Sequence, residues 1–171
     1  PPSQVTGLKA ASGEARKSSL SWNPVNEPEV KGYAVYRSGR AEGPFEKIGA
    51  VEGRDLTSYV DGGKKGYFSE EPALQDETRY YYKVRAVNVV DVQSPDSRVA
   101  IAVTKPVPTP VTGIRSGEIE VKQVKIEWEP NPEPDIAKYE IFRGEEQASV
   151  NKSLAEIPSS AYRFVDKGLK D

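Results

Sequence analysis

Three residue types are missing altogether: the 171 residues include no cysteine, no histidine and no methionine. Without cysteine there is no disulfide framework, no thiolate nucleophile and no zinc finger. Without histidine, imidazole acid–base chemistry and imidazole ligation of metals fall away as well. Long apolar runs are also lacking, so no segment reads as a membrane-spanning helix. Neither sign of charge dominates: 24 Lys and Arg stand against 26 Asp and Glu, for a net charge of −2. With the signs interspersed there is no basic footprint for nucleic acid or anionic lipid. The absence of thiols does not place the chain in the cytosol, because many exported proteins simply avoid them. Position 1 is proline, and Pro1-Pro2 fits a cut inside a proline-rich linker. The expectation is therefore a segment of a longer polypeptide, with any export signal upstream.

What the chain does contain is a repeat. Val5-Thr6-Gly7-Leu8 matches Val111-Thr112-Gly113-Ile114, and the match runs without a gap to Arg37 and Arg143 at an offset of 106. Ten of the 33 aligned pairs are identical, among them Gly7/Gly113, Trp22/Trp128, Glu27/Glu133, Tyr33/Tyr139 and Arg37/Arg143. Other apolar pairs exchange like for like: Leu20/Ile126, Val35/Ile141, Tyr36/Phe142. A period near ~100 residues is a whole domain, whereas a solenoid unit repeats every ~20–50. The chain thus divides into module 1 at residues 1–104, a Pro-rich linker at 105–110, and module 2 at 111–171. In the linker Lys105-Pro106-Val107-Pro108-Thr109-Pro110, alternate prolines favour an extended, semi-rigid spacer.

Within each module, short runs of period two alternate with turn residues. Val124, Ile126 and Trp128 fall on one face, Lys125 and Glu127 on the other. Tyr33 to Arg37 and Tyr139 to Arg143 form the next strand of each copy. The intervening Asn23–Pro28 and Glu129–Pro134 carry prolines that cannot join a ladder, so they are loops. Phe45–Gly49, Ser58–Asp61, Thr78–Val87 and Val99–Val103 supply further strands. In the longest, Tyr80, Tyr82, Val84 and Ala86 share one face; Tyr81, Lys83, Arg85 and Val87 share the other. No segment sustains a helical period. The fold class is all-β: two antiparallel, immunoglobulin-like sandwiches in tandem.

The ordered motifs resemble the fibronectin type III family over essentially the whole chain. The Trp ending the second strand with Pro two residues on, the Gly32-Tyr33-Ala34-Val35-Tyr36-Arg37 strand, and the Val60-Asp61 and Val165-Asp166 pairs carry that resemblance. Leu74, Thr78 and Tyr80 are similar to the family's tyrosine corner, whose hydroxyl bonds back to upstream backbone. The Glu-Pro-(Glu/Asp)-(Val/Ile) loop before Tyr33 and Tyr139 resembles versions common in bacterial secreted proteins. Two departures stand out. The connection from Gly62 to Glu77 is long, and module 2 reaches Asp171 before the last two strands that the pattern calls for. A sandwich without those strands would open its core to water and leave a central strand as a bare edge. The expectation is that the natural chain continues.

No arrangement of nucleophile, acid and base emerges, so the chain reads as a non-enzyme that needs no cofactor. Glu27 and Glu29, with Glu133 and Asp135, lack the spacing of a calcium loop and read as solvated carboxylates. Gly53-Arg54-Asp55 is not the Arg-Gly-Asp order that integrin-binding members of the family use. Trp22, Tyr33, Tyr80, Trp128 and Tyr139 read as core. If Tyr33 and Val35 face inward, Tyr36 faces out, and so does Tyr81. Tyr36, Tyr81, Lys83 and Arg85 then make an outer face with the composition of interaction hot spots, against the plainer reading of cross-strand pairing. Phe142 repeats Tyr36, and Tyr67-Phe68 in the long connection form a second candidate contact.

Resemblance and composition together imply spacer or interaction modules of an exported, bacterial multidomain protein: secreted, periplasmic or held at the cell surface, a lipid anchor included. The partner would be a protein or a glycan, and the modules would be monomeric. Two alternatives are adhesion through the aromatic face and service as accessory modules of a secreted polysaccharide-degrading enzyme. The core assignment makes one prediction: Trp22→Ala should cost ~3–5 kcal/mol, enough to unfold module 1. A soluble mutant with an unchanged melt would refute the strand register.

Overall fold

The computed structural model describes residues 1–62, 73–117, 122–144, 150, 152–167 and 169. It forms two compact units, Pro1–Val107 and Pro108–Asp171. Unit 1 contains β1 (Lys9–Ala10), β2 (Lys17–Ser21), β3 (Val30–Ser38), β4 (Glu46–Glu52), β5 (Ser58–Gly62), β6 (Arg79–Asn88) and β7 (Ala100–Val103). All pairings are antiparallel, in two sheets ordered β1-β2-β5 and β4-β3-β6-β7. Unit 2 contains β8 (Arg115–Ser116), β9 (Gln123–Glu127), β10 (Lys138–Arg143), β11 (Lys152–Pro158) and β12 (Arg163–Lys167), in sheets ordered β12-β9-β8 and β10-β11.

The core of unit 1 lies between its two sheets and gathers Val5, Leu20, Trp22, Tyr33, Val35, Tyr82 and Val84. Trp22 meets Tyr33 edge-to-face at 5.3 Å, the preferred geometry for two ring quadrupoles. β7 reverses the simple hydrophobic reading: Ala100 and Ala102 face the core, while Val99 and Ile101 are exposed. The register explains this. Ala102 sits opposite Tyr80 and Ala100 opposite Tyr82, and beside those large rings the inward face has space only for methyl groups.

Before β7, the chain runs beside β6 without forming a regular strand. Ser94 and Ser97 hydroxyls accept the N–H groups of Ala86 and Val84, and their own N–H groups return to the Ala86 and Val84 carbonyls. Leu74 is buried, and the Tyr80 hydroxyl accepts the Gln75 N–H at 3.0 Å, which is the upstream bond expected of the corner.

Several identical pairs of the repeat hold the same places in both units. Gly7 and Gly113 have φ of 67° and 63°, and a Cβ at either would strike the side chain of Asn23 or Glu129. The Asn23 N–H bonds the Thr6 carbonyl, and the Glu129 N–H bonds that of Thr112. Trp128 meets Tyr139 at 5.3 Å and 62°, matching Trp22 and Tyr33. The Tyr33 hydroxyl accepts the Val25 N–H, and the Tyr139 hydroxyl accepts that of Asn131. At the junction, Lys105 is hydrogen-bonded to Glu14 and Glu77 in unit 1, whereas Thr109 is bonded to Glu133 in unit 2.

A carboxylate occupies an inward position of unit 1. Asp61 on β5 is 1% exposed, while its neighbour Val60 is 54% exposed. Asp61 Oδ1 accepts from Arg37 on β3 at 2.7 Å, and Oδ2 accepts from the Tyr82 hydroxyl on β6 at 2.8 Å. Burial, with the Asp61 carboxylate beside it, pushes the Tyr82 phenol well above its ordinary range. The guanidinium of Arg37 also lies over the Tyr80 ring, 5.6 Å from its centroid. Unit 2 repeats the ion pair as Arg143–Asp166 at 3.0 Å.

Removing one member of a buried pair strands the other. Arg37→Ala is expected to lower the stability of unit 1 by about 3–5 kcal/mol in urea unfolding, and the double variant with Asp61→Ala to lose less than the sum of the two singles. A loss under about 1 kcal/mol for Arg37→Ala would show that water relieves the charge, as at a surface pair.

Candidate interaction face

The outer face of the β4-β3-β6-β7 sheet collects the polar and aromatic residues that alternate with the core. Tyr36 on β3 sits opposite Lys83 on β6, and Ala34 opposite Arg85. The Arg85 guanidinium stacks over the Tyr36 ring at 4.8 Å, and the Lys83 ammonium over the Phe45 ring at 4.1 Å. Asp96 ties the two cations together, accepting from Arg85 Nε at 2.5 Å and from Lys83 Nζ at 3.2 Å. Arg85 holds the Asp96 carboxyl below its ordinary range. Gln93 Oε1 accepts from both the Tyr36 hydroxyl at 2.9 Å and Arg85 at 3.1 Å. The result is a continuous row, Phe45–Lys83–Asp96–Arg85–Tyr36, in which each charge has a partner.

Three of the expected face residues, Tyr36, Lys83 and Arg85, are thus brought together. Tyr81 shares the face further along β6, half-buried between Ser38 on β3 and the exposed Ile101 on β7. Phe142 occupies the Tyr36 place on β10 and is 45% exposed, opposite Ser153. Tyr67 and Phe68 lie outside the described residues. Gln93 and Asp96 escape sequence reasoning because they reach the face from a connection, where strand alternation says nothing about direction; Phe45, expected to open a strand, lies just before β4, which runs Glu46–Glu52. Beside the row is a depression of about 430 Å³, with Gly32, Ala34, Ala50 and Val87 among its lining residues. Lys31 and Asp91, which pair at 2.6 Å, and Lys47 and Glu52 also line it.

The paired carboxylates of the Pro-rich loops have a structural task. Glu27 accepts the Ser3 N–H at 2.9 Å, and Glu133 accepts the Thr109 N–H at 2.6 Å, so each clamps the chain entering its unit. The bond from the Thr109 N–H, reinforced by the Thr109 and Asn131 side chains, draws the Glu133 carboxyl down to about 2. A carboxyl lowered in the folded state stabilises above its unfolded value near ~4.5, and the contribution fades as pH falls through the folded value. The Thr109 amide resonance should therefore titrate with a midpoint near 2 and lose that step in Glu133→Gln. A midpoint at the ordinary glutamate value would dissolve the clamp.

No family model matches the chain. It is 28% identical over 190 residues to the ephrin type-A receptor 4-B of Xenopus laevis, an alignment covering 99% of this chain and 18% of that receptor. Among solved structures, the FN1-FN3 domains of chicken CNTN1 align over 99% of this chain and 58% of theirs, at 17% identity and a TM-score of 0.50. An Fn3-like protein from Clostridium thermocellum is 28% identical, covering 63% of this chain and 98% of its own length at a TM-score of 0.45. The chain spans less than a fifth of the receptor it matches, so the likeness concerns modules rather than a whole protein. The antiparallel sandwich, its corner tyrosine and its likeness to the CNTN1 domains agree on one conclusion: the fold of this chain is that of fibronectin type III domains.

Proposed function

We propose that the chain serves as non-catalytic spacer and interaction modules of an exported multidomain protein. The carrying observation is where the repeat keeps its identities. Gly7/Gly113, Trp22/Trp128, Glu27/Glu133, Tyr33/Tyr139 and Arg37/Arg143 all bind, pack or turn the framework of their own unit. What the two copies share is architecture. The outer-face position on the shared strand is not kept: it is Tyr36 in unit 1 and Phe142 in unit 2. A repeat that keeps its frame and lets its face vary supports a role set by length and placement.

A second reading rests on the outer row itself. Tyr and Arg dominate interface hot spots, and the row offers both beside a depression lined in part by Ala34, Ala50 and Val87. On that reading the face contacts a protein or a glycan.

Both readings meet in one exchange. Replacing unit 1 in its parent protein with an unrelated sandwich of equal length should preserve the parent's activity, while deleting unit 1 should alter it. If the exchange is as damaging as the deletion, the surface carries the role. Arg85→Ala with Tyr81→Ala should then abolish capture of the partner from the parent's surroundings.

A further inference from the structure

The four-stranded sheet of unit 1 has two edges, and they are treated differently. At β7 the Val103 carbonyl accepts the Gly13 N–H and the Val103 N–H reaches the Ser12 hydroxyl, so the β1–β2 connection is bonded to that edge. β4 lies at the other edge and pairs with β3 alone. The Gly53 N–H bonds the Lys31 carbonyl, which fixes the ladder: Val51 and Gly49 bond toward β3, and the N–H and carbonyl groups of Ala50 and Glu52 turn away from it. The Tyr59 hydroxyl bonds the Ile48 carbonyl, while Ala50 and Glu52 are exposed. A bulge completes the pattern. At their spacing in the chain, Lys47 and Glu52 would fall on opposite faces of a regular strand. The register shift between Val35 and Tyr36 absorbs Ile48, so Lys47 stands opposite Tyr36, Ala50 opposite Ala34 and Glu52 opposite Gly32, all on the outer face. Lys47 and Glu52 are exposed, and among the described residues neither has an ion-pair partner.

We propose that β4 is a self-complementary edge on which a second copy of this chain docks, two-fold and antiparallel, joining two four-stranded sheets into one of eight strands. The two-fold falls at Ala50, which exchanges both main-chain bonds with Ala50 of the second copy. Lys47 then stands opposite Glu52 of the second copy, and Glu52 opposite its Lys47. On the inner side Gly49 meets Val51 of the second copy. The charge order commits the occupant. Read antiparallel, Lys47–Ala50–Glu52 is its own complement, whereas parallel docking would set like charges opposite each other. A slip by one residue would bring outer side chains against inner ones, so the register is specified as well. Main-chain bonds supply affinity, and the two charge pairs supply selection. The modules thereby link two parent chains side by side, a role that neither reading of the outer face requires.

The test is a charge exchange, read by sedimentation of the whole chain up to millimolar concentration and by the Ala50 and Glu52 amide resonances. The natural chain is expected to reach a monomer–dimer equilibrium, with those two amides shifting as the dimer forms. Lys47→Glu and Glu52→Lys each set two pairs of like charges opposite each other and should weaken self-association at least ~10-fold. Mixed in equal amounts, the two variants regain both opposite-charge pairs, so the mixture should dimerise about as well as the natural chain. Ala50→Pro removes the N–H at the two-fold and spares the β3 ladder, because that N–H faces away from β3; it should abolish the dimer with unit 1 still folded. Three results would overturn the proposal: a monomer throughout the millimolar range, single variants that associate as tightly as the natural chain, or a mixture no tighter than its parts.

Discussion

The fold turns on a carboxylate placed where hydrophobic patterning would put a valine. Asp61 sits inside unit 1 and is reached from two strands of the opposite sheet, by Arg37 from β3 and by Tyr82 from β6. Apolar packing between the sheets has no direction of its own, but these two bonds do, and they hold for only one register of β5 against the facing sheet. The Arg143–Asp166 pair shows the same device in the second unit. A buried ion pair is weak support for stability in itself; here its value lies in specifying one alignment among several that would bury similar area.

Much of this architecture is legible in the chain. The repeat at an offset of 106 marks two domains, period two marks the strands, and Trp-x-Pro followed by Tyr-x-Val-Tyr-Arg marks which strands they are. What stays hidden is set by partners across the core. The Val60-Asp61 pair is read as a strand motif without a direction; the structure turns Asp61 inward to Arg37 and Tyr82 and leaves Val60 exposed. Likewise the expected strand Val99–Val103 carries no direction; opposite Tyr80 and Tyr82, Ala102 and Ala100 of β7 face the core, while Val99 and Ile101 are exposed.

The proposed interaction face was legible in part for the same reason. Tyr36, Lys83 and Arg85 lie on strands whose direction alternation reveals. Phe45, Gln93 and Asp96 arrive from outside the strands, yet they decide the character of the face. With them present, the cations are neutralised and the rings covered, so the face is a stiff, internally satisfied surface rather than a set of loose charges. A partner of the proposed kind would have to match that surface as it stands or displace its ion pairs. Such surfaces discriminate between partners more than they raise affinity.

The irregular passage from Gln93 to Arg98 has a consequence for life in an array. Domains linked in one chain meet at high local concentration, and a long, straight, unpaired strand edge would invite neighbours to zip together as they fold. Here Ser94 and Ser97 hold that flank of β6 with their hydroxyls, and between them come Pro95, which has no N–H to offer, and the charged Asp96. The flank is occupied without becoming a new template. The same six residues that complete the sheet guard it against misassembly with its own kind.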